Sequence, residues 1–162
     1  MTVNHRDGPS VGVLFGSESD REVMVLTGRV LEKFGVEHEL RVLSAHRTPD
    51  EVRDYARAAQ GRGIRVLICG AGMSAQLAGV VAAATILPVL GVPLAAGQLG
   101  GLDALLSTAQ MPAGVAVGTL AIGKAGARNA ALLAVQILAL SDPDLQAKLL
   151  AHKESMARGE AL

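Results

Sequence analysis

The chain has 162 residues, and its 15 Lys and Arg balance its 15 Asp and Glu, so the formal net charge is zero. This length suits one domain with a continuous apolar core. The balanced charge excludes the positive field that attracts nucleic acid, and an aromatic content of 2% without Trp excludes a base-stacking surface. The expected partner is therefore a small molecule and not a nucleic acid.

Strands and helices alternate along the chain. Apolar runs predict strands over 11–15, 37–43, 64–69 and 87–92, and capping or breaking residues delimit helices over 20–34, 49–60, 75–84 and 101–110. An extended piece follows near 115–121, then a helix over 125–140 and a last helix that begins at Ser141-Asp142-Pro143. The alternation predicts an α/β fold: a doubly wound parallel sheet in three layers, flavodoxin-like. Residues 1–10 are expected to form a flexible leader, and 11–162 a single domain that ends in helices.

One long segment carries almost no charge. Between Val66 and Gly123 the only charged residue is Asp103. Pro88, Pro93 and closely spaced glycines interrupt the segment, so we expect no membrane-spanning helix and no membrane association. This much apolar surface exceeds what the interior of one domain needs, and it predicts a homo-oligomer.

Cysteine usage and the first ten residues favour the cytoplasm. Cys69 is the only cysteine, so no disulfide can form within the chain. Its place at the end of an apolar run indicates a buried structural thiol. The leader has no apolar core of the kind that a signal peptide needs.

Three loops rich in polar or small residues follow the first three predicted strands. They are Gly16-Ser17-Glu18-Ser19-Asp20, Ser44-Ala45-His46-Arg47-Thr48-Pro49 and Gly70-Ala71-Gly72-Met73-Ser74. In an open parallel sheet, ligands bind at the edge where the carboxyl ends of the strands meet. The sequence therefore predicts one site to which all three loops contribute.

The first loop has the composition of a nucleotide-binding turn. Gly16 lets the backbone approach a phosphate, Ser17 and Ser19 supply hydroxyl groups, and the amides of the next helix point towards an anion. The carboxylate of Asp20 suits ribose hydroxyls. The alternative for this loop alone is an ordinary capped helix start.

The second loop adds a proton carrier. Arg47 can bind an oxyanion with two hydrogen bonds, and His46 can exchange protons near neutral pH, although the pair could also serve only to cap a helix. The other histidines, His5, His38 and His152, are scattered and expected at the surface, so no metal site is predicted. Dinucleotide and triphosphate motifs are absent as well, and no cofactor is expected.

Four ordered segments carry a family resemblance. They are Gly16-Ser17-x-Ser19-Asp20, Ser44-Ala45-His46-Arg47-Thr48-Pro49, Pro88-Val89-Leu90-Gly91-Val92-Pro93, and Gln110-Met111-Pro112 through Val117-Gly118-Thr119-Leu120-Ala121-Ile122-Gly123. With them, about residues 11–150 of the chain resemble the N5-carboxyaminoimidazole ribonucleotide mutases of purine biosynthesis. The resemblance implies a homo-octamer that works on an aminoimidazole ribonucleotide without metal or organic cofactor.

The resemblance also implies roles for individual residues. His46 would be the general acid and base, while the substrate carboxylate leaves the exocyclic nitrogen as trapped carbon dioxide and rejoins at ring carbon 4. The first loop and Arg47 would hold phosphate and ribose, and the second and third loops would face the imidazole and its carboxylate. The implied substrate-binding residues are Gly16, Ser17, Ser19, Asp20, Ser44, Ala45, Arg47, Gly70, Ala71, Gly72, Ser74, Gln76 and Leu77.

The third loop departs from the family pattern. Bacterial-type mutases carry Gly-Gly-Ala-Ala-His-Leu where this chain has Gly72-Met73-Ser74-Ala75-Gln76-Leu77. Gln76 can donate and accept hydrogen bonds, but unlike histidine it cannot titrate. The leading hypothesis is a mutase. The alternatives are a carboxylase or decarboxylase that acts on the same ribonucleotides, and a non-catalytic nucleotide-binding homologue.

Overall fold

The secondary structure follows the predicted alternation closely. The computed structural model describes residues 8–160, and most of the predicted leader lies outside this range. The strands are β1 (Val11–Phe15), β2 (His38–Val42), β3 (Val66–Gly72), β4 (Val89–Leu94) and β5 (Gly118–Thr119). The helices are α1 (Arg21–Phe34), α2 (Pro49–Ala59), α3 (Leu77–Ala82), α4 (Leu102–Ala109), α5 (Lys124–Ala139) and α6 (Pro143–Ala157).

The strands form one parallel sheet in the order β2-β1-β3-β4-β5. This is the flavodoxin-like strand order. From β1 the chain adds β2 on one side and β3, β4 and β5 on the other, so the order of the strands changes direction between β1 and β3. The predicted fold class is confirmed. The reversal opens a crevice at the carboxyl ends of β1 and β3, where the first and third loops begin.

Side chains of the central strands alternate between two apolar layers. In β1, Val11, Val13 and Phe15 pack in a core with α1, α5 and part of α6, while Leu14 points into the opposite core with α2 and α3. Helix α4 lies on that second side, because a Cβ at Gly91 would meet both Thr108 of α4 and α3. Burial on both faces explains the nearly continuous apolar sequence of the strands.

Helix boundaries follow local signals. Helix α1 ends at Gly35 in the left-handed conformation, with φ of 73°, and the Lys148 ammonium donates to the carbonyl of Phe34 at 2.7 Å. Helix α2 has Pro49 in its first turn, where the missing amide hydrogen costs nothing.

Strand β3 extends further than its apolar run predicts. Residues Gly70–Gly72 pair with Val92–Leu94 of β4, so backbone pairing continues beyond the last large side chain. The third loop therefore begins at Met73 rather than at Gly70. It spans four residues before α3.

Cys69 and His152 are both buried. Burial raises the pKa of the Cys69 thiol, as expected for a structural cysteine. The prediction that His152 lies at the surface is wrong, because it packs edge-on against Phe34 where α6 covers the end of α1.

Within residues 8–160, no helix is both long and apolar enough to cross a bilayer.

Candidate active site

The three predicted loops enclose one pocket of about 290 Å³ at the carboxyl edge of the sheet. Its lining residues are Gly16, Ser17, Ser19, Asp20, Ser44, Ala45, His46, Arg47, Ala71, Gly72, Met73, Ser74, Gln76, Leu77 and Ala96. Thus all the predicted site residues except Gly70 line a single space. Met73 and Ala96 line it in addition.

The first loop forms a short 3-10 turn in which the hydroxyl groups of Ser17 and Ser19 lie next to each other. Ser17 caps a 3-10 turn over Glu18–Asp20, and its Oγ accepts hydrogen bonds from the Ser19 amide at 3.4 Å and the Ser19 hydroxyl at 2.9 Å. The loop places two hydroxyl groups at the pocket in front of α1. This arrangement can donate to the oxygens of an anion.

Gly70 supports this loop from below the pocket. Its carbonyl accepts a hydrogen bond from the Gly16 amide at 3.2 Å. A Cβ at Gly70 would lie 2.4 Å from the sulfur of Met24, so only glycine fits here without displacing the core. Pairing within the sheet places Gly70 beneath the first loop and not in the lining of the pocket, and its contact with a substrate stays a prediction.

Asp20 is a half-buried carboxylate in the pocket. Burial raises the pKa of Asp20 above its usual value, while a backbone hydrogen bond at Ser17 and the positive charge of Arg47 act in the opposite direction. The carboxyl group thus lies in a place that disfavours its charge. The same carboxylate can accept a further hydrogen bond from a hydroxyl group of a ligand in the pocket.

The second loop is a compact turn in front of α2. The Ser44 carbonyl accepts from the Thr48 amide at 2.9 Å, and the Ser44 hydroxyl accepts from the Arg47 amide at 3.2 Å. Leu43 before the turn is buried. The turn is therefore held on the sheet while His46 and Arg47 project from it.

The Arg47 side chain joins the first two loops. Its Nη2 donates to the Gly16 carbonyl at 2.7 Å, and its Nε lies 3.3 Å from the Ser44 hydroxyl, which accepts the hydrogen bond. The side chain remains exposed, so its guanidinium is also accessible to an oxyanion.

The second and third loops meet through His46 and Gln76. The Nε2 atom of His46 lies 3.3 Å from Oε1 of Gln76, and both side chains are exposed in the single chain. The imidazole and the Gln76 side chain therefore lie next to each other in the lining of the pocket. The direct neighbour of the imidazole is therefore a neutral side-chain amide.

Met73 and Ala96 were not predicted as site residues. Met73 has a φ of 54°, a left-handed conformation that side chains other than glycine rarely adopt, and it turns the chain from β3 towards Gln76. Ala96 follows β4, whose carboxyl end lies beside that of β3. The rule that parallel strands end at one edge would have pointed to the residues after β4 as well.

The pocket combines groups for binding an anion with one group for proton transfer. The hydroxyls of Ser17 and Ser19, the Arg47 guanidinium and the His46 imidazole all belong to its lining residues. Within residues 8–160, no three His, Cys, Asp or Glu side chains are grouped as metal ligands would be. His38 is not among the residues that line the pocket, and its Nδ1 atom lies 3.1 Å from the Val36 carbonyl.

Comparisons with known proteins agree with this geometry. A family profile described as AIR carboxylase matches residues 10–159. The N5-carboxyaminoimidazole ribonucleotide mutase of Pyrococcus abyssi is 51% identical over 150 residues, which are 93% of this chain and 85% of that protein. The proteins of the same name from Vibrio vulnificus and Mycobacterium tuberculosis are 54% and 52% identical, over 88% and 92% of this chain and 89% and 84% of theirs.

A solved structure extends the agreement to three dimensions. The crystal structure of Treponema denticola PurE superposes with a TM-score of 0.85 at 28% identity and covers 93% of each chain. The sequence match and the shared architecture both extend over nearly the whole chain. The chain belongs to the AIR carboxylase family.

Proposed function

We propose that this chain converts N5-carboxyaminoimidazole ribonucleotide to 4-carboxy-5-aminoimidazole ribonucleotide in purine biosynthesis. The names of relatives with about half of their residues identical support this substrate. The observation that carries the proposal is the pocket itself. It brings the His46 imidazole to the same space as Ser17, Ser19 and Arg47.

The proposed binding mode follows the polarity of the pocket. The phosphate lies against the Ser17 and Ser19 hydroxyls and Arg47, because these groups donate hydrogen bonds to an anion. The ribose hydroxyls donate to Asp20. The imidazole ring and its carboxylate then extend towards His46 and the third loop, where small side chains leave room for a planar ring.

The proposed chemistry needs two proton transfers. When the bond from the exocyclic nitrogen to the carboxylate breaks, carbon dioxide leaves and the nitrogen takes a proton from the His46 imidazolium. Ring carbon 4 then bonds to the carbon dioxide, and the proton on that carbon returns to His46. The imidazole ends as it began. The two steps involve no net oxidation or reduction, so the proposal includes no redox cofactor.

A second candidate is the carboxylase or decarboxylase reaction on the same ribonucleotides. His46 and Gln76 are exposed in the single chain, and a pocket open to water exchanges carbon dioxide with the solution. The family's own description also names a carboxylase. A non-catalytic homologue is a third candidate, but the presence of His46 in the pocket argues against it.

The proposal includes assembly into a homo-octamer in the cytoplasm. Large apolar side chains project from the uncharged segment, as at Ile86 and Leu99, which are 85% and 64% exposed. Such side chains are typical of an interface between subunits. A neighbouring subunit would also cover the open side of the pocket and retain carbon dioxide.

The proposal is tested with both carboxylated ribonucleotides and ultraviolet absorbance. We expect the wild type to interconvert them, and His46→Asn to bind nucleotide while its turnover falls by roughly 10²-fold or more, the usual scale of a lost general acid and base. His38→Asn, outside the pocket, is the matched control and should keep its activity. If His46→Asn turns over like the parent, His46 is not the proton carrier.

A further inference from the structure

We infer that Gln76 is a positioning residue that fixes the proton-bearing nitrogen of His46. The contact is the 3.3 Å approach of His46 Nε2 to Gln76 Oε1. We assign the amide oxygen of Gln76 as the acceptor in this contact, and in this assignment Nε2 is the nitrogen that carries the hydrogen and donates it. The nitrogen that exchanges protons with the substrate is then Nδ1. The expected effects on turnover rest on the proposed function, whereas the contact between His46 and Gln76 does not.

The His46 side of the contact is fixed by its turn. The Thr48 hydroxyl donates to the Ser44 carbonyl at 3.2 Å, and the Thr48 amide donates to the same oxygen at 2.9 Å. His46 lies inside this closed turn, between two residues that are anchored by hydrogen bonds. Its backbone is therefore held in place although its side chain is exposed.

The Gln76 side of the contact is fixed by burial on either side. Ala75 and Leu77 are each only 2% exposed, so they anchor the chain immediately before and after Gln76. The backbone N–H of Gln76 donates to the Ser74 carbonyl at 2.8 Å, and the backbone N–H of Ala75 donates to the Met73 carbonyl at 2.9 Å. The third loop is a tight turn that points one polar side chain at His46.

Fixing the tautomer matters because the imidazole must both give and take a proton. With Nε2 held by Gln76, the neutral ring presents the lone pair of Nδ1, and the protonated ring presents an N–H at the same position. One nitrogen thus serves both transfers without rotation of the ring. A neutral amide also adds no second titration to the site.

Two variants separate this role from simple packing. Gln76→Met keeps the length of the side chain but removes the acceptor, and we expect kcat to fall about tenfold with KM nearly unchanged, which corresponds to the loss of one hydrogen bond. Gln76→Glu keeps the acceptor and adds a negative charge, which favours the protonated ring. We expect its pH–rate profile to move upward by about one pH unit.

The matched control is Gln136→Glu, which places the same charge on an exposed position of α5. Its pH–rate profile should coincide with that of the wild type. The inference is overturned if Gln76→Met keeps wild-type kcat, or if the profile of Gln76→Glu does not move. A rise in KM alone, in either variant, would assign Gln76 to substrate binding instead.

A readout without substrate distinguishes this inference from the proposed function. Protein with nitrogen-labelled histidine reports the tautomer by NMR, and the His46→Asn spectrum identifies the His46 signals. We expect neutral His46 to carry its proton on Nε2 alone in the wild type, and in Gln76→Met to relax to the mixture of the two tautomers that a free imidazole shows. A wild type without activity but with this tautomer contradicts the function alone. A wild type with the proton on Nδ1 contradicts the inference.

Discussion

Asp20 illustrates the competition between stability and binding at a single residue. Its carboxyl group lines the pocket and is half-buried, and burial raises its pKa despite the nearby Arg47 charge. A charge kept in such a place costs folding free energy, and functional sites often carry costs of this kind. The proposed role for this charge is to accept hydrogen bonds from ribose hydroxyls.

Asp20→Asn should therefore stabilise the fold and weaken the substrate complex. The amide removes the buried charge but keeps the shape, so we expect a higher Tm at neutral pH. Hydrogen bonds to charged groups contribute about 1.5–3 kcal/mol, so KM should rise roughly tenfold to a hundredfold. Thermal melts measure the expected rise in Tm, and steady-state kinetics on the same preparation measure the expected rise in KM. An unchanged KM would remove Asp20 from the binding site.

Some site residues could be predicted from the sequence and others could not. Ser17, His46 and Arg47 lie in the loops that follow β1 and β2, and the strand-end rule places these loops at one edge of the sheet. Gly70 has the same kind of position in sequence, but pairing with β4 continues the strand and turns Gly70 towards Met24. The contact between His46 and Gln76 joins loops 30 residues apart, and no local pattern specifies it.

At the scale of elements, α6 is the clearest case in which tertiary packing overrides a local expectation. The helix starts at Asp142, whose carboxylate accepts from the amides of Asp144 and Leu145. This cap is visible in the sequence. What the sequence does not show is that α6 lies across the end of α1 and buries His152 against Phe34.

His152 should make the stability of the fold depend on pH. Burial lowers the pKa of His152 first, and the charges of Lys33 and Lys153 lower it further. Its Nε2 atom has no hydrogen-bond partner within residues 8–160. The unfolded chain therefore binds a proton more readily than the folded chain, so stability falls as pH drops below the ordinary histidine pKa of about 6.5.

Thermal melts from pH 7.5 to pH 5 test this expectation. Lost stability of about 1 kcal/mol would lower Tm by roughly 2–4 °C in a domain of this size. His152→Phe keeps the aromatic contact with Phe34 and removes the titration, so its Tm should vary less over the same range. Equal slopes for the two proteins would exclude His152 as the cause.

The boundaries of the elements were predicted more accurately at some ends than at others. Gly35 and Pro49 mark their helix ends through backbone geometry alone, and the structure agrees with both. The ends of β3 and β4 depend on pairing between the two strands, so they lie three and two residues beyond the predicted ends at 69 and 92. Local backbone chemistry determines these helix ends, and non-local pairing determines the strand ends.

At the scale of the whole molecule, the uncharged segment predicts how copies of the chain associate. Leu102 and Leu106 on α4 are 53% and 51% exposed, in addition to the exposed side chains before the helix. Several large apolar side chains on one segment would be costly in water. Contact with other copies of the chain would remove them from water.

Light scattering on the purified protein should therefore show an oligomer, and the octamer implied by the family resemblance would have a mass eight times that of one chain. Leu106→Glu places a charge on the expected interface and should reduce this mass. Ala58→Glu, on the exposed side of α2, is the matched control and should not. A monomer at micromolar concentration would contradict the predicted assembly and leave the exposed leucines without a role.

In the proposed reaction, this pocket moves a carboxyl group within one ribonucleotide. The most direct measurement uses N5-carboxyaminoimidazole ribonucleotide labelled in the carboxylate, in the presence of excess unlabelled bicarbonate. We predict that the label appears at ring carbon 4 of the product, because the carbon dioxide stays in the pocket between the two steps. Label lost to the bicarbonate pool, with aminoimidazole ribonucleotide accumulating, would contradict the mutase and identify a decarboxylase or carboxylase instead.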